Sequence, residues 1–214
     1  MKKRIADLLL KLTRWTAVGS APEADKYVLL CAPHTTNWDL PALLMATWSR
    51  GAGASFLAKQ QLFRGPMNRF MRALGGIPVK RDGKHGMVAS LTEEFARADG
   101  LALAVPAAGT RGYTDHWKSG FYRVAIAADV PIACAFVDYS TRTLGYGPVM
   151  TPTGDVEADL DFFRAFYADK QGKFSDNKSN IRFRDEVQPD PAPESLAPEN
   201  PAPENPATDD DTGR

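Results

Sequence analysis

Hydrophobic positions along the chain follow two spacings that alternate from about residue 27 onward. Continuous apolar runs typical of buried strands occur at residues 27–31, 55–58, 77–79, 101–105 and 132–137. Elsewhere apolar residues recur every three or four positions, which predicts helices at 40–50, 60–74, 86–98, 118–128 and 159–169. Strand followed by helix, repeated, predicts a single α/β domain whose helices flank a mostly parallel, mixed sheet. Loops that leave the strand ends would then hold a functional site.

The N-terminal segment, residues 1–20, differs from the domain that we assign to residues 21–186. Five large apolar residues recur here at helical spacing, with Lys and Arg between them: Ile5, Leu8, Leu9, Leu12 and Trp15. The pattern predicts an amphipathic helix that either lies in the headgroup region of a membrane or packs on the domain. A second candidate membrane surface is the segment 64–74, which mixes apolar residues with three arginines.

The C-terminal segment, residues 187–214, has the composition of a disordered acidic tail. It holds seven of the chain's 16 prolines and repeats Ala-Pro-Glu-Asn. The net charge of zero conceals a basic domain, because residues 1–186 carry 25 Lys and Arg against 19 Asp and Glu. A basic domain suits anionic partners such as phospholipid headgroups. The sequence has no clustered-arginine recognition helix, so we expect no nucleic acid partner.

The cysteine content and the length of the apolar runs indicate the cellular compartment. Cys31 and Cys134 both lie in apolar, strand-like runs, and we expect them to be buried, reduced thiols. They are too few to form a metal site, so we expect no metal. No apolar run approaches the roughly 18 residues that span a bilayer. We therefore expect a cytoplasmic compartment, no signal peptide and no transmembrane helix.

The stretch 34–39, His-Thr-Thr-Asn-Trp-Asp, follows the first predicted strand. A histidine that accepts a proton near neutral pH needs a group that fixes its tautomer and stabilises the imidazolium, and a nearby carboxylate does both. His34 and Asp39 are therefore a candidate general-base pair. The spacing alone also fits a structural role, in which Asp39 is the N-cap of the helix 40–50.

Three further segments lie beside apolar runs in a fixed order. They are Gly-Gly-Ile-Pro-Val-Lys-Arg at 75–81, Gly-Thr-Arg at 109–111 and Val-Pro-Ile at 130–132. Together with the 34–39 stretch, this order resembles the glycerolipid acyltransferase family, whose best-known members acylate lysophosphatidic acid. The likeness extends from about residue 27 to residue 139, and four ordered blocks are stronger evidence than any one of them.

The resemblance implies a role for each block. The HxxxxD block of the family forms the catalytic pair, here His34 and Asp39. A GGxxxxR-like block and an EGTR block bind the acceptor, and a VPI-like block follows. In this sequence the last three blocks correspond to Gly76 and Arg81, to Gly109, Thr110 and Arg111, and to Pro131.

The two arginines of these blocks suit an anionic acceptor. A guanidinium matches phosphate or carboxylate oxygens in bidentate fashion, so Arg81 and Arg111 would hold the headgroup. Lys80 is a secondary candidate for the same role.

One position departs from the family pattern. Where the family has glutamate before Gly-Thr-Arg, this sequence has Ala108, which has no charge and no hydrogen-bonding side chain. Three explanations compete: a deliberate substitution that disables turnover, a natural member with altered acceptor binding, and a degenerate member without activity. We favour the first, because the other blocks are intact and alanine is the usual choice for truncating a side chain.

We therefore expect a peripheral, membrane-associated O-acyltransferase at the cytoplasmic face of the inner membrane, acting in phospholipid biosynthesis. His34 would remove the proton of an acceptor hydroxyl as it attacks the thioester of acyl-CoA or acyl carrier protein. The acceptor would be 1-acylglycerol-3-phosphate or a related lysolipid, such as a lyso-aminolipid. The acyl donor is a co-substrate, and no other cofactor is expected.

Two other functions are compatible with the same residues. One is a catalytically silent lipid-binding protein on the same scaffold, in which Ala108 is natural. The intact pair His34 and Asp39 argues against it. The other is hydrolysis of a thioester or lipid ester by the same base, but the arginines favour a charged acceptor over water.

Overall fold

The structure is a computed structural model that describes residues 1–79 and 86–184. Its helices are α1 (Lys2–Thr13), α2 (Asp39–Ser49), α3 (Pro66–Ala73), α4 (Met87–Arg97), α5 (Gly120–Ala127) and α6 (Val156–Tyr167). Its strands are β1 (Thr16–Val18), β2 (Lys26–Cys31), β3 (Ser55–Lys59), β4 (Gly76–Val79), β5 (Leu101–Pro106), β6 (Ile132–Asp138) and β7 (Thr143–Met150). Two short 3₁₀ helices span Gln60–Phe63 and Ser175–Asn177. The predicted acceptor residues Lys80 and Arg81 and the predicted tail 187–214 lie outside the described residues.

The strands form one sheet in the order β1-β7-β6-β2-β5-β3-β4. β7 runs antiparallel to β6, whereas β2 is parallel to both of its neighbours, β5 and β6. The predicted α/β domain with a mostly parallel, mixed sheet is confirmed. Because β2, β5 and β6 are adjacent and parallel, the loops that follow them leave the same edge of the sheet.

The strands β1 and β7 are absent from the sequence prediction, for different physical reasons. β1 has only three residues. β7 contains Gly145, Gly147 and Pro148, which interrupt its apolar run. Gly145 has a φ of 149°, and a Cβ at this position would collide with the backbone carbonyl of Val18. The close approach of β1 to β7 therefore requires the glycine that hides the strand in the sequence.

The predicted helix 60–74 is wrong at its centre. The chain forms the 3₁₀ helix Gln60–Phe63 and then restarts as α3 at Pro66. Gly65 has a φ of 55°, a conformation that glycine adopts readily and that ends the preceding turn. Pro66 fits the first helical position because its missing N–H would have no intrahelical partner there.

Apolar side chains pack on both faces of the sheet. On β2 they alternate, so that Val28 and Leu30 join the cluster under α4, α5 and α6, while Tyr27 and Leu29 join the cluster on the opposite face. Tyr167 of α6 is buried, and its single hydroxyl proton is shared between the carbonyls of Leu30, at 2.8 Å, and Ala135, at 3.2 Å. These bonds fix α6 to the two central strands.

Helix α1 packs on the domain through a narrow face and leaves most of its large apolar side chains in solvent. Ala6 and Leu10 are buried. The exposed apolar residues of α1 are Ile5, Leu8, Leu9 and Leu12. Within residues 1–79 and 86–184, none of the helices combines the length and apolar content needed to cross a bilayer.

Both cysteines are free, as expected. Cys134 is buried, as expected. Cys31 is only partly buried, so the prediction of a buried thiol is wrong there, because Cys31 is the last residue of β2. Burial raises the pKa of each thiol to about 12, so both stay protonated at neutral pH and are poor nucleophiles.

Candidate active site

The loop between β2 and α2 folds around the carboxylate of Asp39. Asp39 Oδ2 lies 3.0 Å from His34 Nδ1 and accepts hydrogen bonds from the backbone N–H groups of Thr35 at 2.8 Å and Thr36 at 3.0 Å. Asp39 Oδ1 accepts a hydrogen bond of 3.0 Å from the hydroxyl of Tyr139. Each carboxylate oxygen of this buried side chain is therefore held by at least one donor.

The alternative role for Asp39, as the N-cap of α2, is wrong. The N-cap of α2 is Trp38, and Asp39 is the first residue of the helix. Its side chain accepts from the N–H groups of the preceding loop. The position at the helix N-terminus still stabilises its negative charge through the helix dipole.

Asp39 is ionised at neutral pH. Although burial by itself raises the pKa of a carboxyl, the hydrogen bond with His34, the backbone N–H groups of Thr36 and Thr35, and the Tyr139 hydroxyl together lower the pKa of Asp39 below its ordinary value. Because a carboxylate only accepts, His34 Nδ1 donates to it, and the ring carries its free lone pair on Nε2. In the neutral ring, this tautomer leaves Nε2 able to accept a proton.

A cavity of about 270 Å³ opens beside the pair. His34, Asn37 and Asp39 lie at its polar end. The rest is lined mainly by apolar side chains from α2 and the central strands, among them Leu40, Leu43, Phe56, Leu57 and Phe136. It exceeds the cavity of about 150 Å³ that admits a benzene ring, so it can take up a hydrocarbon chain segment.

The turn after β5 brings the Gly-Thr-Arg segment to the same edge. Arg111 donates a hydrogen bond from its guanidinium to the side-chain oxygen of Asn37, inside the 34–39 loop. Gly109 has a φ of 68°, which glycine adopts without strain, and both Gly109 and Thr110 are exposed. The structure therefore brings Arg111 to the loop that holds His34 and Asp39.

Ala108 is buried and lines a second, narrow cavity of about 20 Å³ on another side of His34. Lys178 lines it too, and its ammonium donates to the carbonyls of Tyr167 and Ala168 at 2.8 Å each. Burial lowers the pKa of Lys178. The cavity has room for about one water molecule.

Sequence reasoning missed three residues of this site: Asn37, Tyr139 and Lys178. Asn37 stands inside the 34–39 stretch, and Tyr139 directly follows a predicted strand, so their positions were available from the sequence. Lys178 lies in a loop after α6 and carries no local pattern. In the described part of the chain, no group of three or more His, Cys, Asp or Glu side chains is arranged to bind a metal ion.

Comparison with known proteins adds two findings. A family model described as Acyltransferase matches residues 16–137, more than half of the 214-residue chain. Among solved structures, the 1-acyl-sn-glycerophosphate (LPA) acyltransferase PlsC from Thermotoga maritima is similar in fold, with a TM-score of 0.55 and 18% sequence identity over 77% of this chain and 74% of that chain. No curated protein matches the chain.

Proposed function

Because this chain belongs to the acyltransferase family, we propose that it transfers a fatty acyl group to the hydroxyl of a lysophospholipid. The donor is acyl-CoA or acyl carrier protein, and the acceptor is 1-acylglycerol-3-phosphate or a related lysolipid such as a lyso-aminolipid. The observation that carries the proposal is the 3.0 Å contact between His34 Nδ1 and Asp39 Oδ2 at the polar end of an apolar cavity. A base between an apolar cavity and an arginine suits a substrate with a chain, a hydroxyl and a charged headgroup.

In the proposed mechanism His34 acts through Nε2. It takes the proton of the acceptor hydroxyl while the hydroxyl oxygen attacks the thioester carbonyl carbon, forming a tetrahedral oxyanion and an imidazolium. Asp39 stabilises the imidazolium by its negative charge and holds the ring in place. The oxyanion then reforms the carbonyl, the carbon–sulfur bond breaks, and the thiolate leaves with the proton from His34. The products are the ester and the free thiol.

Arg111 is the proposed headgroup contact among the described residues. Its guanidinium is exposed and is oriented by the Asn37 side chain, which leaves further N–H groups for phosphate oxygens. Arg81 and Lys80 are proposed for the same role on the basis of the sequence block that contains them. This arrangement would place the acceptor hydroxyl on the side of His34 that faces Arg111.

A membrane surface is the proposed source of the acceptor. The N-terminal end of α1 lies near the C-terminal end of α3, because Lys2 donates a hydrogen bond of 2.9 Å to the carbonyl of Ala73. Helix α3 exposes Met67 and Phe70 beside its arginines. Apolar side chains surrounded by exposed Lys and Arg match an anionic bilayer, with the protein held at the cytoplasmic face.

Ala108 is the observation that favours a second candidate function, a catalytically silent lipid-binding protein. Alanine cannot orient an arginine or contact an acceptor hydroxyl. We retain the proposal that Ala108 is the result of a glutamate-to-alanine substitution that disables turnover. The two functions differ in whether the dyad catalyses transfer once a glutamate occupies position 108.

The test is acyl transfer from acyl-CoA to a panel of lysolipids, with mass spectrometry of the products. Four proteins are compared: the chain itself, His34→Ala, Ala108→Glu and the double variant. We expect acyl transfer by the chain itself or by Ala108→Glu. In either background, the added His34→Ala substitution should abolish it. Product formation that survives His34→Ala would refute His34 as the base. Folded protein with bound lysolipid and no product in any of the four would favour the silent lipid-binding function.

A further inference from the structure

Tyr139 approaches the catalytic pair from a different strand. It directly follows β6, which lies next to β2, so its side chain leaves the same edge of the sheet as the 34–39 loop. Three of the donors to Asp39 belong to residues 34–36, whereas the Tyr139 hydroxyl reaches Asp39 Oδ1 from 100 residues away in sequence. The carboxylate is therefore held from two independent segments.

The backbone and the ring of Tyr139 are each held by a further contact. The backbone N–H of Tyr139 donates to the carbonyl of Gln171 at 2.9 Å. Its ring packs edge-on against Trp15, with ring centroids 5.1 Å apart and an angle of 86° between the planes. Burial, followed by the negative charge of Asp39, raises the pKa of Tyr139, so the hydroxyl keeps its proton and donates.

We propose that Tyr139 is a positioning residue for the dyad, resting on the proposed function: its hydroxyl holds Asp39 Oδ1, so that Oδ2 stays directed at His34 Nδ1 as the imidazole becomes charged. Without this bond the carboxylate is held through Oδ2 alone, and its rotation about the Cβ–Cγ bond is less restricted. Rotation would move the negative charge away from the imidazolium at the moment it forms. Tyr139 thus acts on the reaction through Asp39 and does not touch the substrate.

The test compares Tyr139→Phe with Tyr122→Phe. Both substitutions remove one hydroxyl that donates to a buried aspartate, because Tyr122 donates to Asp159 Oδ2 at 2.7 Å in the core between α5 and α6. Each keeps the aromatic ring. Three quantities are measured: the kcat and KM of acyl transfer, the melting temperature, and the proton resonance of His34 Nδ1, assigned by its loss in His34→Ala. Kinetics are measured in whichever background, Ala108 or Ala108→Glu, turns over.

We expect Tyr139→Phe to lower kcat about tenfold at unchanged KM, the effect of losing one hydrogen bond to a charged group, and to shift the Nδ1 resonance. Tyr122→Phe should lower the melting temperature and leave kcat and the resonance unchanged. The positioning role is overturned if Tyr139→Phe leaves the resonance unchanged, or if both variants lose kcat in proportion to their melting temperatures. The resonance needs no turnover, so it decides the positioning role even if every protein is inactive and the proposed function fails.

Discussion

Replacing Asp39 by asparagine removes the negative charge of the dyad while keeping its shape. An amide oxygen at the Oδ2 position can still accept from His34 Nδ1 and from the N–H groups of Thr35 and Thr36, and the amide NH₂ can donate to the Tyr139 oxygen. The reverse orientation of the side-chain amide is disfavoured, because it would direct the NH₂ group, itself a donor, at three other donors. The tautomer of His34 is therefore kept, and the charge is the principal loss.

The size of the effect follows from the 3.0 Å separation of Nδ1 and Oδ2, which puts the centres of charge about 4 Å apart once His34 is protonated. At an effective dielectric constant of about 20, such a pair attracts by about 4 kcal/mol. Since the attraction appears only when the imidazolium forms, it lowers the barrier and leaves substrate binding unchanged. We expect Asp39→Asn to lower kcat by about 10³-fold at constant KM.

The assay is product formation by mass spectrometry under saturating donor and acceptor, in whichever parent background, Ala108 or Ala108→Glu, turns over. Its working range is about 10⁴-fold, to cover the usual contribution of a general base. Asp159→Asn is the matched control, since Asp159 is another buried aspartate that accepts from a tyrosine and a threonine but lies at the start of α6. It should lose stability and keep kcat. An Asp39→Asn protein with more than a tenth of the parent kcat would refute the electrostatic role of Asp39.

Further predictions concern stability, membrane binding and the acceptor site. Because the pKa of Asp39 is lowered in the folded protein, its charge stabilises the fold above the ordinary aspartate pKa of about 4 and less as pH falls through the lowered value. Urea unfolding should therefore show a difference between the parent and Asp39→Asn that shrinks below about pH 4, and a constant difference would contradict this. Leu12→Asp should weaken the binding of the protein to anionic vesicles, measured by sedimentation, at least tenfold. The control is Met87→Asp, because Met87 is exposed on α4, on the opposite face of the sheet, and this change should not weaken binding. Equal losses in the two variants would argue against α1 as the membrane contact. Arg111→Ala should raise the KM for the acceptor about 10- to 100-fold, as expected for a lost guanidinium–phosphate pair. Arg97→Ala on α4 is the control and should leave this KM unchanged. An unaltered KM in Arg111→Ala would exclude Arg111 as a headgroup ligand.

Much of the sheet could be predicted from the sequence because its central strands are continuous apolar runs. β2 and β6 are buried almost throughout, so every residue favours the same assignment. β7 could not be predicted, since its second half is not buried and two glycines and a proline interrupt its apolar run. The only sequence signal for the break before α3 is the pair Gly65-Pro66. The helical spacing of apolar residues continues on both sides of this pair, so the prediction ran through it.

The candidate site likewise contains residues that could be predicted from the sequence and residues that could not. His34 and Asp39 are five residues apart, so the sequence itself brings them within reach. The contacts of Asp39 with Tyr139 and of Asn37 with Arg111 depend on which strands are neighbours in the sheet. Local sequence patterns do not predict this strand order. Sequence reasoning therefore reached the short-range pair and missed the residues that support it from other strands.

The placement of β2 between β5 and β6 has a consequence for folding kinetics. The loop 34–39 can close on Asp39 as soon as β2 and α2 exist, but Arg111 and Tyr139 arrive 74 and 100 residues later along the chain than their partners. Contacts of such long sequence separation form slowly, because their loop-closure entropy is paid before they stabilise anything. The Tyr139 hydroxyl that holds Asp39 Oδ1 reaches the 34–39 loop only when β6 has joined the sheet beside β2, so the complete arrangement is assembled late.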